Sequence, residues 1–249
     1  MVKWRGKRKE VLFLIWQEKV VLSSQDADIN RVLGAGAVMR IMEEAGEHQV
    51  SCYGPSSEAL REEGRAFLLS RFALDYVRPL RPFEQVTVET WSCPSRGFSF
   101  LRCYRVRIGD EIVARAQARL AMVDVVDRHL LRVSDYQCGY ETDEPYSPLL
   151  DDRVPRTETN VEAGRHEVRY AECDLNGHLN NTRYADLFCG FVPMEGRRVR
   201  SIVLNYLREA PMGVELSLCS AAAAEGIVLR SRLPGGEINT EAYLRLEDL

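Results

Sequence analysis

The sequence predicts an α+β protein made of two similar units, each a helix followed by antiparallel strands. A short polar motif occurs twice, as "ADINRVL" from Ala27 and as "CDLNGHL" from Cys173. Apolar residues with helical spacing follow each copy, and segments with strand-like alternation follow each helix. Because these features recur in the same order, we expect a duplicated domain, and a chain of 249 residues is long enough for two.

The helix after each motif is predicted from apolar residues at positions i, i+3, i+4 and i+7, which form one buried stripe. The two stripes are Val38, Ile41, Met42 and Ala45 in the first half, and Tyr184, Leu187, Phe188 and Phe191 in the second. Asn180 or Asn181 is the expected N-cap of the second helix, and Pro193 is expected to stop it.

Strands are predicted where apolar residues alternate with polar ones between turn residues. In the first half these segments are residues 66–77, 83–93, 98–108 and 112–125. In the second half they are residues 199–208, 214–221, 227–233 and 238–246. One predicted strand places six apolar side chains on a single face: Ile112, Ala114, Ala116, Ala118, Leu120 and Met122. Each half therefore predicts a meander of strands.

The segment between the halves carries three prolines, many acidic residues and no sustained period, so it is predicted to be a linker. The predicted limits are 1–133 for the first domain, 134–160 for the linker and 161–249 for the second domain. A second pair of segments supports the duplication, because "DYVRPLRP" from Asp75 corresponds to "NYLREAPM" from Asn205.

The composition is that of a compact globular protein, with 45% apolar and 28% charged residues. The net charge of −4 and the absence of a long basic stripe argue against nucleic-acid binding. No apolar run approaches the roughly 18 residues of a membrane-spanning helix. The basic residues before "VLFLIW" are interpreted as a solvated end that precedes a first strand, not as a signal peptide.

The seven cysteines include no CxxC pair, which argues against a disulfide framework or a zinc site and indicates a cytoplasmic protein. The four histidines are too scattered to predict a metal cluster, and no glycine-rich phosphate loop is present. The sequence thus predicts neither a metal nor a cofactor, and any chemistry is expected from side chains alone.

The two halves differ at the positions where chemistry is expected. Val32 stands where the second motif has His178, and Pro79 stands where the later segment has Glu209. Valine cannot polarise a carbonyl group and proline cannot accept a proton. Helix capping would explain aspartate and asparagine in both copies, but it gives no reason for a histidine and a glutamate in only one.

From about Phe13 to Leu246, the chain resembles the fatty acyl-ACP thioesterases of plants and bacteria. The most specific part is "DLNGHLNNTRY", which is similar to the family signature D-x-N-x-H-V-N-N-x-x-Y, and "ETWSCPSRGFSFLRCYRV" and "LNYLREA" support it. The resemblance implies two tandem hotdog domains, in each of which a curved antiparallel sheet wraps a helix. It also implies that the first repeat supplies most of an acyl cavity and the second supplies the catalytic residues.

The resemblance implies that the catalytic residues are Asp174, Asn176, His178 and Glu209. Plant members have a cysteine after that glutamate, whereas this chain has Ala210, so a cysteine nucleophile at this position is impossible. The cysteines nearest in sequence are expected to be buried and inert: Cys173, Cys189 and Cys219.

Thioester hydrolysis needs an activated nucleophile and donors aimed at the carbonyl oxygen. Our hypothesis makes Glu209 the general base on a water, with Asp174 as an orienting group or alternative base. Asn176 would position the water or the thioester, and His178 would donate a hydrogen bond to the carbonyl oxygen. Each residue also has a structural alternative. Asp174 and Asn176 could serve only to form a turn and a helix cap, His178 could be a structural histidine, and Glu209 could be a surface acid at the end of a strand.

The partner implied by the resemblance is an acyl carrier protein, which presents the acyl group on a phosphopantetheine arm. Basic residues near the N-terminus could steer this acidic partner or be a solvated end: Lys3, Arg5, Lys7, Arg8 and Lys9. The rival functions are an acyl-CoA thioesterase, a hotdog dehydratase or hydratase, and a non-catalytic acyl-binding protein. Acyl-chain preference stays open, since Met39 and Met42 are equally good core residues. Both a monomer and a homodimer remain possible.

Overall fold

The computed structural model describes residues 15–127, 129–136, 145–146, 148–157 and 161–249. These residues contain helices α1 (Ala35–Tyr53), α2 (Ser57–Glu62) and α3 (Arg183–Cys189). The strands of the first half are β1 (Trp16–Val21), β2 (Arg65–Tyr76), β3 (Gln85–Arg96), β4 (Ser99–Ile108), β5 (Glu111–Asp124) and β6 (His129–Leu131). Those of the second half are β7 (Val161–Glu167), β8 (Arg197–Tyr206), β9 (Glu215–Ala223), β10 (Gly226–Arg232) and β11 (Ile238–Asp248).

The strands form one antiparallel sheet in the order β1-β3-β4-β5-β2-β8-β11-β10-β9-β7, with β6 added beside β5. The first five strands and the last five have the same internal order, reversed about the junction between β2 and β8. At this junction the segment 71–75 pairs with 201–205. The order confirms the predicted duplication, and each repeat is a hotdog in which the sheet packs against a helix.

The apolar stripe of α1 lies in the main core, as its spacing predicted. Val38, Met42 and Ala45 are fully buried, and Ile41 is partly buried against the same core. Every strand predicted from alternation is present, with limits that differ by at most three residues. The spacing of apolar residues in the sequence therefore predicted which face of each main element packs against the core.

Helix α3 is shorter than its stripe suggested. It ends at Cys189, with Gly190 as its C-cap, so Phe191 follows the helix although it packs on the core. The predicted N-cap is wrong, because Thr182 occupies that position without a side-chain cap hydrogen bond. Asn180 instead accepts hydrogen bonds from the backbone N–H and the hydroxyl of Thr182, at 2.9 and 2.7 Å. It organises the residues just before the helix.

The two repeats are also joined through their helices. Asp186 on α3 accepts a hydrogen bond from the backbone N–H of Gly36 at 3.2 Å and pairs with Arg40 on α1 at 3.1 Å. A Cβ atom at Gly36 would lie 2.4 Å from the Asp186 Oδ2, so only glycine permits this approach. Arg40 also pairs with Asp26, which precedes the first motif.

The described part of the predicted linker packs on the sheet instead of remaining solvated. Gln117 of β5 exchanges two hydrogen bonds of 3.0 Å with the backbone of Leu150. Asp152 is buried and pairs with Arg119 and, at 3.7 Å, with Arg71. These contacts attach the segment after the first repeat to two strands of that repeat.

Helix α2 was not predicted from the sequence. It has six residues, and the Ser56 hydroxyl caps it by accepting the Ala59 N–H at 3.1 Å. In the ranges given above, no helix combines the length and apolar character needed to span a membrane. The predicted start of the first strand and the basic residues from Lys3 to Lys9 lie outside the described residues.

Candidate active site

The second motif forms a tight turn that is organised by one carboxylate. Asp174 Oδ1 accepts the backbone N–H groups of Asn176 at 2.8 Å and of His178 at 3.2 Å. The Asp174 N–H donates to the His178 carbonyl at 2.8 Å, and Gly177 adopts a φ of +78° at the tip. Because a left-handed residue is needed there, glycine suits the position. The turn fixes the direction in which His178 leaves the backbone.

The first motif makes the same turn with the same bonds. Asp28 Oδ1 accepts the N–H groups of Asn30 at 2.9 Å and of Val32 at 3.3 Å, and the Asp28 N–H donates to the Val32 carbonyl. Turn formation therefore explains the aspartate in both copies. It does not explain the histidine, which only the second copy has.

The strand-end segments occupy matching positions beside the two turns. The Leu33 N–H donates to the Leu80 carbonyl in the first repeat, and the Leu179 N–H donates to the Ala210 carbonyl in the second, both at 2.9 Å. These equivalent bonds make Pro79 the structural counterpart of Glu209. The buried Ala210 confirms that no thiol is present at the position after the glutamate.

This pairing brings together the two ionisable residues that the sequence singled out. The Nε2 atom of His178 lies 3.6 Å from an Oε2 of Glu209. The histidine side chain is 27% exposed and the glutamate 61%. A separation of 3.6 Å is longer than a hydrogen bond, so each group remains available to a third atom placed between or beside them.

The asparagines of the two motifs have different partners. The Asn30 amide is fully engaged: its nitrogen donates to the carbonyls of Met194 and Arg197, and its oxygen accepts the Gly196 N–H. Asn176 is exposed, and its oxygen accepts a hydrogen bond from Arg61 of α2 at 3.3 Å. Its nitrogen donates to Asp174 Oδ2 at 3.4 Å. The first asparagine therefore holds a loop of the other repeat, whereas the second bonds within its own motif and to α2 and lies in the cavity wall.

Asp174, Asn176, His178 and Glu209 all line one cavity of about 1710 Å³. The rest of its wall comes mostly from the first repeat, namely α1, α2 and strands β2, β3 and β4. An aromatic cluster lies in this wall, where the ring of Phe67 packs edge-on against Phe100 at 5.0 Å and Tyr136 at 5.2 Å. The cavity thus joins polar groups of the second repeat to an apolar surface of the first.

The equivalent region of the first repeat is much smaller. A pocket of about 340 Å³ lies beside the first motif and is lined by Asp28, Asn30, Val32 and Pro79, among others. Val32 and Pro79, at the positions of His178 and Glu209, supply neither an imidazole nor a carboxylate. Size and residue type therefore both distinguish the two sites.

Tyrosines support the backbone that leads from the motif into α3. The Tyr206 hydroxyl donates to the Asn181 carbonyl at 2.8 Å, and its ring packs edge-on against Tyr184 at 5.7 Å. Tyr184 is buried, as its place in the helical stripe predicted, and burial raises its pKa to about 12. Both phenols are therefore neutral structural groups near pH 7.

The cysteines near the motif are half-buried, which corrects the expectation that they would be buried: Cys173, Cys189 and Cys219. Burial nevertheless raises the pKa of the Cys189 thiol to about 12, with a smaller contribution from Asp186. A thiol of this kind is not a nucleophile near neutral pH.

One group of possible metal ligands occurs among the described residues, and none of its three members lines the cavity. Atoms of Asp124, Asp127 and His129 lie within 4.8 Å of one another at the turn between β5 and β6. The Asp124 carboxylate already accepts the N–H groups of Val126 and Asp127 at 2.9 Å, and these bonds help to lower its pKa. The turn itself accounts for this aspartate.

Comparison with known proteins identifies the family. Residues 22–149 match the model of the thioesterase-like superfamily, and residues 156–242 match that of the acyl-ACP thioesterase C-terminal domain. The chain belongs to the thioesterase-like superfamily. The resemblance to acyl-ACP thioesterases predicted from the motifs is confirmed.

The chain is 23% identical over 220 residues to an oleoyl-acyl carrier protein thioesterase of Coriandrum sativum chloroplasts, an alignment that covers 79% of this chain and 59% of that protein. The chain thus spans about three fifths of this curated relative. Its fold is similar to an acyl-ACP thioesterase of Bacteroides thetaiotaomicron, with a TM-score of 0.86, 22% identity, and 94% and 98% of the two chains covered. A 12:0-ACP thioesterase of Umbellularia californica has a TM-score of 0.78 at 18% identity, with 94% and 98% covered.

Proposed function

We propose that this protein hydrolyses the thioester of fatty acyl groups carried on an acyl carrier protein and releases free fatty acid. The observation that carries the proposal is the pairing of His178 with Glu209 at 3.6 Å in the wall of the 1710 Å³ cavity. The matching position in the other repeat has a valine and a proline beside a smaller pocket.

Glu209 is the proposed general base. Its carboxylate takes a proton from a water while the water oxygen bonds to the thioester carbonyl carbon. When the tetrahedral intermediate collapses, the C–S bond breaks and the protonated Glu209 returns the proton to the leaving thiolate. The products are a fatty acid and the free thiol of the carrier. The exposure of Glu209 is consistent with access to bulk water.

His178 is the proposed donor to the carbonyl oxygen as it becomes an oxyanion. The 3.6 Å gap to Glu209 leaves its Nε2–H free to turn toward the substrate. Asn176, which lies at the same wall, positions the thioester or the water through its amide. Asp174 has a different role from the reacting carboxylate, because its Oδ1 is engaged by two backbone N–H groups that orient His178.

The proposed partner is acyl carrier protein, because the named relatives act on acyl groups bound to it. Acyl-CoA presents the same arm and thioester and is the alternative carrier. We place the reaction in the cytoplasm, where the described cysteines, all free, would stay reduced. Whether the protein acts as a monomer or a homodimer does not affect the proposed chemistry, since one chain supplies every residue named.

The test is the release of free thiol from acyl-ACP and from acyl-CoA of equal chain length, followed continuously with a thiol reagent. We expect faster turnover of acyl-ACP by the wild type and at least about a 10²-fold loss in His178→Ala. Formation of an enoyl group without thiol release would make the protein a dehydratase. Binding of acyl-ACP with no product would make it a carrier of acyl groups, and either result would overturn the proposal.

A further inference from the structure

Glu43 of α1 is a carboxyl group in the cavity wall that the proposed chemistry does not use. Its Oε1 is buried and has no hydrogen-bond partner among the described residues. It belongs to the face of α1 that also contributes Gly46, Glu47 and Val50 to the wall. Buried polar atoms are nearly always hydrogen-bonded, so an unpartnered carboxyl beside an open cavity indicates a ligand that completes it.

The surroundings of Glu43 favour the uncharged form. Burial and the neighbouring Glu47, one helical turn away, raise the pKa of Glu43 to about 8. The phenols of Tyr104 and Tyr206 lie close enough for a charge on Glu43 to raise their pKa values. At neutral pH Glu43 is therefore mostly a carboxylic acid, with one O–H donor and one acceptor oxygen.

Tyr206 also relates Glu43 to the candidate active site. The Tyr206 hydroxyl donates to the carbonyl of Asn181, and Asn181 lines the cavity close after His178 in the chain. Glu43 thus lies toward the end of the cavity that holds the motif. We therefore take Glu43 to face the first part of an acyl chain whose thioester lies at His178.

A plain hydrocarbon chain in this position would displace water from Glu43 and leave the acid without a partner, which is unfavourable. A hydroxyl or keto oxygen on the chain would restore the lost hydrogen bond. We propose, on the basis of the thioesterase function proposed above, that Glu43 is a specificity residue for acyl groups that carry a hydroxyl or keto oxygen near the thioester.

The test compares decanoyl-ACP with 3-hydroxydecanoyl-ACP and 3-ketodecanoyl-ACP, using kcat/KM for thiol release. The wild type should prefer the oxygenated substrates by about 10-fold or more, because an unpaired buried polar group discriminates by at least this factor. A thioester with its hydroxyl at the far end of the chain should show no such preference. Equal kcat/KM for decanoyl and both 3-oxygenated groups would overturn the proposal.

Two variants separate recognition from folding. Glu43→Gln keeps a donor and an acceptor in the same volume and should retain the preference, whereas Glu43→Leu should abolish it. Glu62→Leu, at an exposed position at the end of α2, is the matched control and should keep the wild-type ratio. Thermal melting of each variant verifies that it is folded, and an unchanged preference in folded Glu43→Leu would also overturn the proposal.

Binding gives an independent readout if no thioester is hydrolysed, which would refute the thioesterase function itself. Calorimetric titration with decanoic and 3-hydroxydecanoic acids should then still show tighter binding of the hydroxy acid by the wild type and a lost difference in Glu43→Leu. Equal affinities in the wild type would refute the role of Glu43.

Discussion

Replacing the aspartate of each motif separates the turn from the chemistry. In both copies one carboxylate oxygen accepts two backbone N–H groups, at 2.9 and 3.3 Å for Asp28 and at 2.8 and 3.2 Å for Asp174. Because one bond of each pair is long and both sites are half-exposed, alanine should cost about 2 to 3 kcal/mol at either position. Asparagine keeps the acceptor oxygen, so its cost should be about 1 kcal/mol or less.

The stabilities should therefore match while the activities differ. For a chain of this size, 2 to 3 kcal/mol corresponds to a fall in Tm of roughly 5 to 10 °C, so Asp28→Ala and Asp174→Ala should melt at similar temperatures. At a temperature well below both transitions, Asp174→Ala should lose about 10²-fold or more in kcat/KM because His178 is no longer oriented. Asp28→Ala should stay within about 3-fold of the wild type, since its turn holds no imidazole.

Thiol release measured at such a temperature, together with thermal melting followed by circular dichroism, would decide the matter. An equally large loss of activity, about 10²-fold or more, from both Asp28→Asn and Asp174→Asn would refute a single site in the second repeat. If Asp174→Asn lost as much activity as Asp174→Ala while keeping its stability, Asp174 would be the reacting carboxylate and the role given to Glu209 would be wrong.

Three further changes test other parts of the reasoning. Glu209→Gln should lower kcat by about 10² to 10⁴-fold in the thiol-release assay with little change in stability, because it removes the base but keeps the shape. The contribution of Glu43 to the free energy of unfolding should fall as pH rises from 4.5 to about 8, by at most about 1.4 kcal/mol per pH unit, because Glu43 loses its proton at lower pH in the unfolded chain than in the folded one. Urea denaturation at several pH values should show this contribution as the difference between the wild type and Glu43→Gln. Gly36→Ala should lower the free energy of unfolding, measured by urea denaturation, by about 1 to 3 kcal/mol, because the added Cβ would lie 2.4 Å from Asp186 Oδ2.

Matched substitutions control for these effects. Glu62→Gln removes an exposed carboxylate that does not line the cavity and should leave kcat unchanged. Gly46→Ala places its Cβ 3.3 Å from the Tyr104 hydroxyl, a milder approach, so it should cost less than Gly36→Ala. A Gly36→Ala protein as stable as the wild type would show that the contact between the two repeats at Asp186 adapts without cost.

Local periodicity predicted the main elements because each needs only one face to be apolar. Helix α1 and the strands of both repeats follow this rule, and their limits differ little from those expected. The end of α3 did not follow from its stripe, because Phe191 packs on the core after Gly190 has already ended the helix. Helix α2 was missed since six residues are too few to show a period.

Contacts between distant residues were not predictable in the same way. Asp152 lies in the acidic segment predicted to be a linker, yet in the structure it is buried and forms ion pairs with Arg119 and Arg71 of the first repeat. Asn30 and Asn176 occupy equal positions in two similar motifs, and only their remote partners give them different environments. Glu43 offers no local sign of burial, because it lies at the edge of the helical stripe and faces the cavity only in the folded protein.

The residues of the candidate site could be proposed from the sequence because duplication supplies an internal control. The aspartate retained in both motifs makes the same turn twice, so its presence reports on the fold. The histidine and glutamate occur once, at positions that the backbone hydrogen bonds of Leu33 and Leu179 show to be equivalent. When two repeats have the same backbone at a position but different residues, that difference indicates a chemical role more strongly than a residue that both repeats share.

The same comparison indicates that side chains alone do not make the site. A fourfold variant tests this. His178→Ala and Glu209→Gln remove the imidazole and the carboxylate from the second repeat. Val32→His and Pro79→Glu place the same two groups at the equivalent backbone positions of the first repeat. Val32 is buried, however, and the pocket beside it has a volume of about 340 Å³, whereas the cavity of the candidate active site has about 1710 Å³. We expect thiol release from acyl-ACP to stay at the level of the inactivated chain, because the smaller pocket of the first repeat leaves too little room for a long acyl chain. Recovery of activity in the fourfold variant would show that the cavity of the first repeat opens, and that residue type is the only difference between the two sites.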